Sequence, residues 1–173
     1  PHTTHTHTHI AFPSQIAALS TLEELKLHGN ELRGELPPQL GQLQALQSLG
    51  VHDNKFEGAI PSELGQLGNL QYLWLSNNNL TGPLPTDLGE LDLLRFFWFA
   101  NNSIETLPTE IGKLRNLRSL DGSNNKIADR LPYTLGRMEQ LRVLKLSNNS
   151  FRATLPDGLG RCTHLEVHLH PMR

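Results

Sequence analysis

Histidine is the most chemically versatile side chain in this 173-residue sequence, and its nine copies are unevenly placed. Four of them fall in His2-Thr3-Thr4-His5-Thr6-His7-Thr8-His9, where an extended strand would carry alternate imidazoles on one face, a spacing that suits a transition metal. No carboxylate or cysteine accompanies the run, so it reads as a low-complexity or frayed end, and no metal or cofactor is assigned. His168 and His170 take positions that leucine holds elsewhere, and they read as the end of a pattern rather than as a ligand pair. His52, Asp53 and Ser76 offer a base, an acid and a hydroxyl in neighbouring segments. Hydrolysis would also need a pocket and supporting partners, which nothing in the spacing supplies, so no catalytic residue is assigned. Cys162 is the single cysteine, which excludes an intrachain disulfide framework and a multi-cysteine metal site.

The elements that must position these residues emerge from the leucines. There are 34 of them, against nine isoleucines and valines together. A compact sheet core normally draws on β-branched residues, so this imbalance points to one packing environment met repeatedly. Rows beginning at Leu22, Leu46, Leu70, Leu94, Leu117, Leu141 and Leu165 align the chain with itself at spacings of 24, 24, 24, 23, 24 and 24. Leu-x-Leu alternation gives one short strand per row, leucines on one face and variable residues on the other. Stacked rows would bury the leucines behind a continuous parallel sheet. Asn30, Asn54, Asn78, Asn102, Asn125 and Asn149 follow each strand, where an amide can pair the backbone groups of a sharp bend and stack into a ladder. Pro13, Pro37, Pro61, Pro85, Pro108, Pro132 and Pro156 suit the first turn of a short helical segment on the opposite side. The glycine four residues later, from Gly41 onward, is expected to let the chain turn back. Gly122 takes an inner-leucine position, where a small gap or kink is expected.

These boundaries give a divergent segment at 1–21, six rows at 22–45, 46–69, 70–93, 94–116, 117–140 and 141–164, and a degenerate seventh row or end at 165–173. Charge is nearly balanced, 15 Lys and Arg against 17 Asp and Glu, which argues against nucleic acid as a partner. The longest apolar run, 91–100, is broken by Asp92 and Arg95, so no membrane contact by this segment is expected. The chain starts at Pro1 without a charged-then-apolar leader, consistent with a processed or excised piece.

The row Leu-x-x-Leu-x-Leu-x-x-Asn-x-Leu-x-Gly-x-Ile-Pro, fullest in LQYLWLSNNNLTGPLPTDLGELDL from Leu70 to Leu93, resembles the leucine-rich repeat family. Gly34, Gly58 and Gly82 at the Leu-x-Gly step, with Ile60-Pro61, Leu36-Pro37 and Leu84-Pro85, look like its plant-type subclass. The resemblance implies an α/β repeat fold: a solenoid with a parallel sheet on the concave face and short helical or 3-10 segments on the convex face. It also implies recognition of a protein or peptide on that concave sheet, in a receptor-like or secreted protein of signalling or defence at the cell surface. Departures lie in the later rows. The fourth is one residue short and reads Thr106-Leu107-Pro108-Thr109-Glu110-Ile111-Gly112, like intracellular Ras-pathway scaffolds, and Asp129 and Ala153 replace the glycine. A cytoplasmic scaffold is therefore the alternative. The paired-cysteine caps of many extracellular members are missing, which points to a fragment or to atypical caps.

Among the outward strand positions, Tyr72, Trp74, Phe96 and Trp98 fall in equivalent columns of neighbouring rows, about 5 Å apart. They are expected to form one aromatic patch that docks a ligand, since Trp and Tyr dominate binding hot spots, although stacking that merely stiffens the sheet is the simpler alternative. His28, His52, Asp53, Asp121 and Lys145 are expected to form a mixed-charge rim suited to a peptide or protein. Asn79, Asn101 and Asn148 begin Asn-x-Ser/Thr sequons and are glycan acceptors if the chain is secreted, although the row pattern itself generates such matches. Cys162, in the same column as Leu43, Leu67, Leu91, Leu114 and Met138, is expected to be a buried hydrophobe.

Overall fold

The computed structural model describes residues 12–128, 130–152, 156–162 and 165–168. The histidine run at His2 to His9, together with Asp129, Ala153 and His170, lies outside the described residues. Each row contributes one strand to a seven-stranded parallel sheet, in the order β1 (Glu24–Lys26), β3 (Ser48–Gly50), β5 (Tyr72–Trp74), β7 (Phe96–Trp98), β9 (Ser119–Asp121), β10 (Val143–Lys145) and β11 (Glu166–His168). A second, four-stranded parallel sheet, β2 (Arg33–Glu35), β4 (Lys55–Ala59), β6 (Asn79–Gly82) and β8 (Ser103–Ile104), runs beside it where only turns were expected. Gly34, Gly58 and Gly82 in this sheet carry φ of 86°, 75° and 76°, which explains why glycine recurs at that step.

The inner leucines form one buried core from Leu36 to Leu159, with Phe56, Phe97 and Phe99 as its largest fully buried side chains. Gly122 leaves no gap in it. A Cβ there would lie 2.6 Å from Cε2 of Phe99, because the phenylalanine one row earlier fills the space the missing leucine would have taken.

Opposite the main sheet, the described residues form seven five-residue 3-10 segments, such as Pro38–Gln42, Ser62–Gln66 and Thr86–Glu90, each following one of the repeated prolines. The glycines from Gly41 to Gly136 four residues after those prolines serve close approach rather than turning. A Cβ on Gly89 would sit 2.6 Å from the carbonyl oxygen of Glu110 in the next row, and one on Gly136 would sit 2.5 Å from the backbone of Gly158. Neither has positive φ, so space and not conformation selects glycine here.

The last strand corrects the expected register. Leu144 pairs with Val167 and Lys145 with His168, so β11 is one residue out of step with the 24-residue spacing. A one-residue slip exchanges the two faces of a strand. Here it moves the imidazole of His168 out of the leucine column and puts Val167 in register with the inward Leu144, where it remains 36% exposed.

Candidate functional site

Behind each strand the chain bends sharply, and two asparagine columns hold the bends. In the first, the side-chain amide of Asn78 donates to the carbonyls of Val51, Leu75 and Ser76 at 3.0, 3.1 and 3.3 Å, while its oxygen accepts from the N–H of Phe56 at 3.0 Å. Asn54, Asn102, Asn125 and Asn149 make the same contacts to their own rows and to the row before. Among the described residues Asn30, in the first row, bonds to its own bend, through Leu27 and His28.

The second column lies one residue earlier and was not anticipated. Asp53, Asn77, Asn101, Asn124 and Asn148 all hold φ between 54° and 56°, a left-handed conformation that asparagine and aspartate tolerate better than other side-bearing residues. Their side chains join head to tail, Asn148 to Asn124 at 2.6 Å, Asn124 to Asn101 at 2.7 Å, Asn101 to Asn77 at 2.6 Å and Asn77 to the Asp53 carboxylate at 2.5 Å. Two sequon residues, Asn101 and Asn148, are thus members of a ladder. Asn79 instead lies exposed on β6 with no side-chain hydrogen bond among the described residues.

With the bends fixed, the outward positions of β3, β5 and β7 come into register: Ser48 beside Tyr72 beside Phe96, and Gly50 beside Trp74 beside Trp98. The rings of Tyr72 and Phe96 stack at 5.3 Å and 5°, those of Trp74 and Trp98 lie 5.9 Å apart, and Phe96 meets Trp98 edge-on at 6.1 Å. Trp98 is 38% exposed, and its indole N–H donates to the buried Ser119 hydroxyl at 3.0 Å, which fixes the ring. On the other side, His52 meets Trp74 edge-on at 6.0 Å and stacks on His28 at 4.5 Å and 4°. His28, His52, Trp74 and Trp98 therefore form a continuous file crossing four rows.

Gly50 gives that file room. A Cβ at Gly50 would be 3.3 Å from Cε3 of Trp74, tight enough to move the indole by a few tenths of an ångström, and in ordinary contact with Cε1 of His52 at 3.8 Å. The sequence signal was available as a small residue beside the largest one in the same column. Burial pushes the His52 imidazole below its ordinary value of 6.5; His28 pushes in the same direction, and the Asp53 carboxylate partly opposes them. Three buried polar atoms here have no hydrogen-bond partner among the described residues: Ser48 Oγ, His52 Nδ1 and Trp74 Nε1, all in the second and third rows.

The other rim residues are more dispersed. Asp53 stands at the bend and heads the outer ladder, 3.8 Å from His52. Asp121 and Lys145 continue the Trp98 column along the sheet, and the Asp121 carboxylate accepts from the N–H of Ser123 at 3.1 Å. His52, Asp53 and Ser76 form no hydrogen-bonded relay among the described residues. No cluster of three or more potential metal ligands occurs among those residues, and none of their helices is long and apolar enough to cross a membrane. Cys162 is 5% exposed, its thiol donates to the Met138 carbonyl at 3.4 Å, and burial raises its pKa.

Comparison with known proteins places this architecture. Residues 77–170 match the family model of a leucine-rich repeat region, and residues 21–43 and 45–67 match the single leucine-rich repeat. The chain is similar to the ectodomain of the plant membrane receptor kinase GASSHO1/SCHENGEN3 from Arabidopsis thaliana in complex with CASPARIAN STRIP INTEGRITY FACTOR 2, at 38% identity and a TM-score of 0.89, over 91% of this chain and 19% of that one. It is also similar to the plant peptide hormone receptor RGFR1 in complex with RGF2, at 31% identity and 0.90, over 92% of this chain and 26% of that one. A leucine-rich repeat protein of Leptospira interrogans, LIC12759, matches at 34% identity and 0.80, over 92% and 39%. The chain thus spans well under half the length of each of these relatives. No curated protein matches it in sequence.

Proposed function

The chain belongs to the leucine-rich repeat family in its plant-type form, and from that premise we propose that it is a non-enzymatic recognition module whose concave sheet docks a peptide or protein on Tyr72, Trp74, Phe96 and Trp98. The observation that carries this reading is the aromatic patch itself: the rings of Tyr72, Trp74, Phe96 and Trp98 in mutual contact, with Trp98 exposed and yet held by Ser119. Rings fixed before binding lose little conformational entropy when a ligand arrives. His28 and His52 extend the surface toward the first row, and Asp121 and Lys145 flank it on the other side, offering hydrogen bonds and charge to a ligand's main chain. The similarity to ectodomains solved with peptide hormones supports a receptor-like or secreted protein acting outside the cell in signalling or defence. Asn79 is the sequon best placed to carry a glycan there, because its amide is not committed to a ladder.

A displayed random peptide library panned on the wild-type chain tests the docking surface. Enriched peptides should lose about 30-fold or more in affinity on Trp74→Ala/Trp98→Ala, the scale of a hot-spot loss near 2 kcal/mol, while circular dichroism stays unchanged. Peptides that bind the folded double variant as well as the wild type would refute the assignment.

A further inference from the structure

Overall charge balance conceals a strong segregation along the solenoid. Residues 22–93 carry 3 Lys and Arg against 10 Asp and Glu, whereas residues 94–164 carry 11 against 6. Within the basic half, one column concentrates the charge. The residue just before each main-sheet strand is Glu23, Gln47, Gln71, Arg95, Arg118, Arg142 and then Leu165 or Glu166 as the register slips. Backbone hydrogen bonds tie the column row to row: the Gln71 carbonyl accepts from the N–H of Arg95 at 2.9 Å, that of Arg95 from Arg118 at 2.8 Å, and that of Arg118 from Arg142 at 2.9 Å. Three exposed guanidiniums therefore leave the sheet edge in single file at strand spacing, about 5 Å per row.

Like charges stacked this closely repel one another. Some exposed cations are neutralised: Lys26 pairs with Glu24, Lys55 with Glu31 and Lys113 with Glu90. Among the described residues, Arg95, Arg118 and Arg142 have no such partner. The turns that lead into Arg118 and Arg142 also form a groove, lined by Arg115, Asn116, Gly136, Arg137, Glu139 and Gln140. File, groove and charge segregation coincide on the fourth to sixth rows.

We infer that this flank is a second docking surface, for a short acidic peptide segment of a partner protein. Arginine forks match carboxylates in a planar, two-bond geometry, which suits side chains presented singly. The file is about 10 Å long and is bounded by Gln71 on one side and by the acidic Glu166 on the other, so it spans only about three residues of extended chain. A long polyanion such as nucleic acid or a sulfated glycan fits less well. Its evenly spaced charges would meet Glu139 in the groove and the acidic first three rows beyond Gln71. A peptide can place two or three carboxylates against the file and neutral residues elsewhere. The flank adjoins the aromatic patch, Arg95 preceding Phe96, but it shares no residue with it and stands independently of it.

The test is an NMR titration at low salt with acetyl-Glu-Gly-Glu-Gly-Glu-amide, its glutamine counterpart, a heparin tetrasaccharide and a short duplex DNA. The glutamate peptide should shift the Nε–H resonances of Arg95, Arg118 and Arg142, weaken as salt is raised, and bind about tenfold less tightly to Arg118→Gln/Arg142→Gln. Trp98→Ala and Lys55→Gln should leave this binding within about twofold, which separates the flank from the aromatic patch. Equal binding of the glutamine peptide, no loss in the double arginine variant, or tighter binding of either polyanion would overturn the inference.

Discussion

The two asparagine ladders use the same side chain at the same spacing and differ in what each amide touches. In the inner ladder Asn78 is 7% exposed and ties three carbonyls and one N–H of two rows together. In the outer ladder Asn101 is exposed and bonds only to other asparagines. The inner amides substitute for backbone pairing that the bend cannot make, so the loss of one orphans the buried N–H bonded to its oxygen and halves the pairing of carbonyls it shares with neighbouring amides. The outer amides compete with water at every step, and their larger role is to accept a left-handed backbone. One residue type thus does two jobs, separated by a single position in the chain.

That contrast sets the order of expected effects. Asn78→Ala should destabilise the chain by about 3 kcal/mol, because the buried N–H of Phe56 loses its partner outright, while the carbonyls of Val51 and Leu75 are left with the amides of Asn54 and Asn102 alone. Urea denaturation measures it, and a loss below about 1 kcal/mol would erase the distinction between the ladders. Asn101→Ala should cost about 1 kcal/mol, the penalty for a Cβ residue at φ 56°. Asn101→Gly removes the same hydrogen bonds but relieves that conformation, so it should recover most of the loss; if both variants lose equally, the hydrogen bonds matter more than the bend. The smallest effect sits at the head of the outer ladder, where Asp53 faces His52. His52 binds its proton less readily folded than unfolded, so the stability this residue permits is full above pH 6.5 and falls as pH drops through that value. His52→Gln should flatten the thermal midpoint across this window, and Asp53→Asn should steepen its acid side, because the carboxylate is what partly supports protonation.

Much of this was legible from periodicity. The leucine columns, the sheet and the inner ladder follow from a repeat of 24, and the column positions of Tyr72, Trp74, Phe96 and Trp98 follow from strand alternation. What escaped was set between rows rather than within one. Gly122 looked like a gap because its compensation, Phe99, belongs to the previous row. Gly50 looked merely small until Trp74 leaned over it from the next. Asn101 and Asn148 matched a modification motif and Asp53 a charged rim, because alternation gives no direction for a side chain at positive φ. His168 was placed by counting, and the slip before β11 moved it to the other face. The arginine file was hidden by summing charge over the whole chain.

The glycines of the 3-10 segments also govern curvature. A solenoid bends because its two sides stack at different pitches, and the pitch of the sheet side is fixed by hydrogen bonding. On the opposite side the pitch depends on how closely successive backbones can nest, and Gly89 and Gly136 allow them to meet without an intervening methyl group. Each alanine placed there would act as a wedge, opening the outer arc and tightening the inner one. A solenoid of this design can therefore adjust the breadth of its sheet face from the opposite side, one methyl group per row.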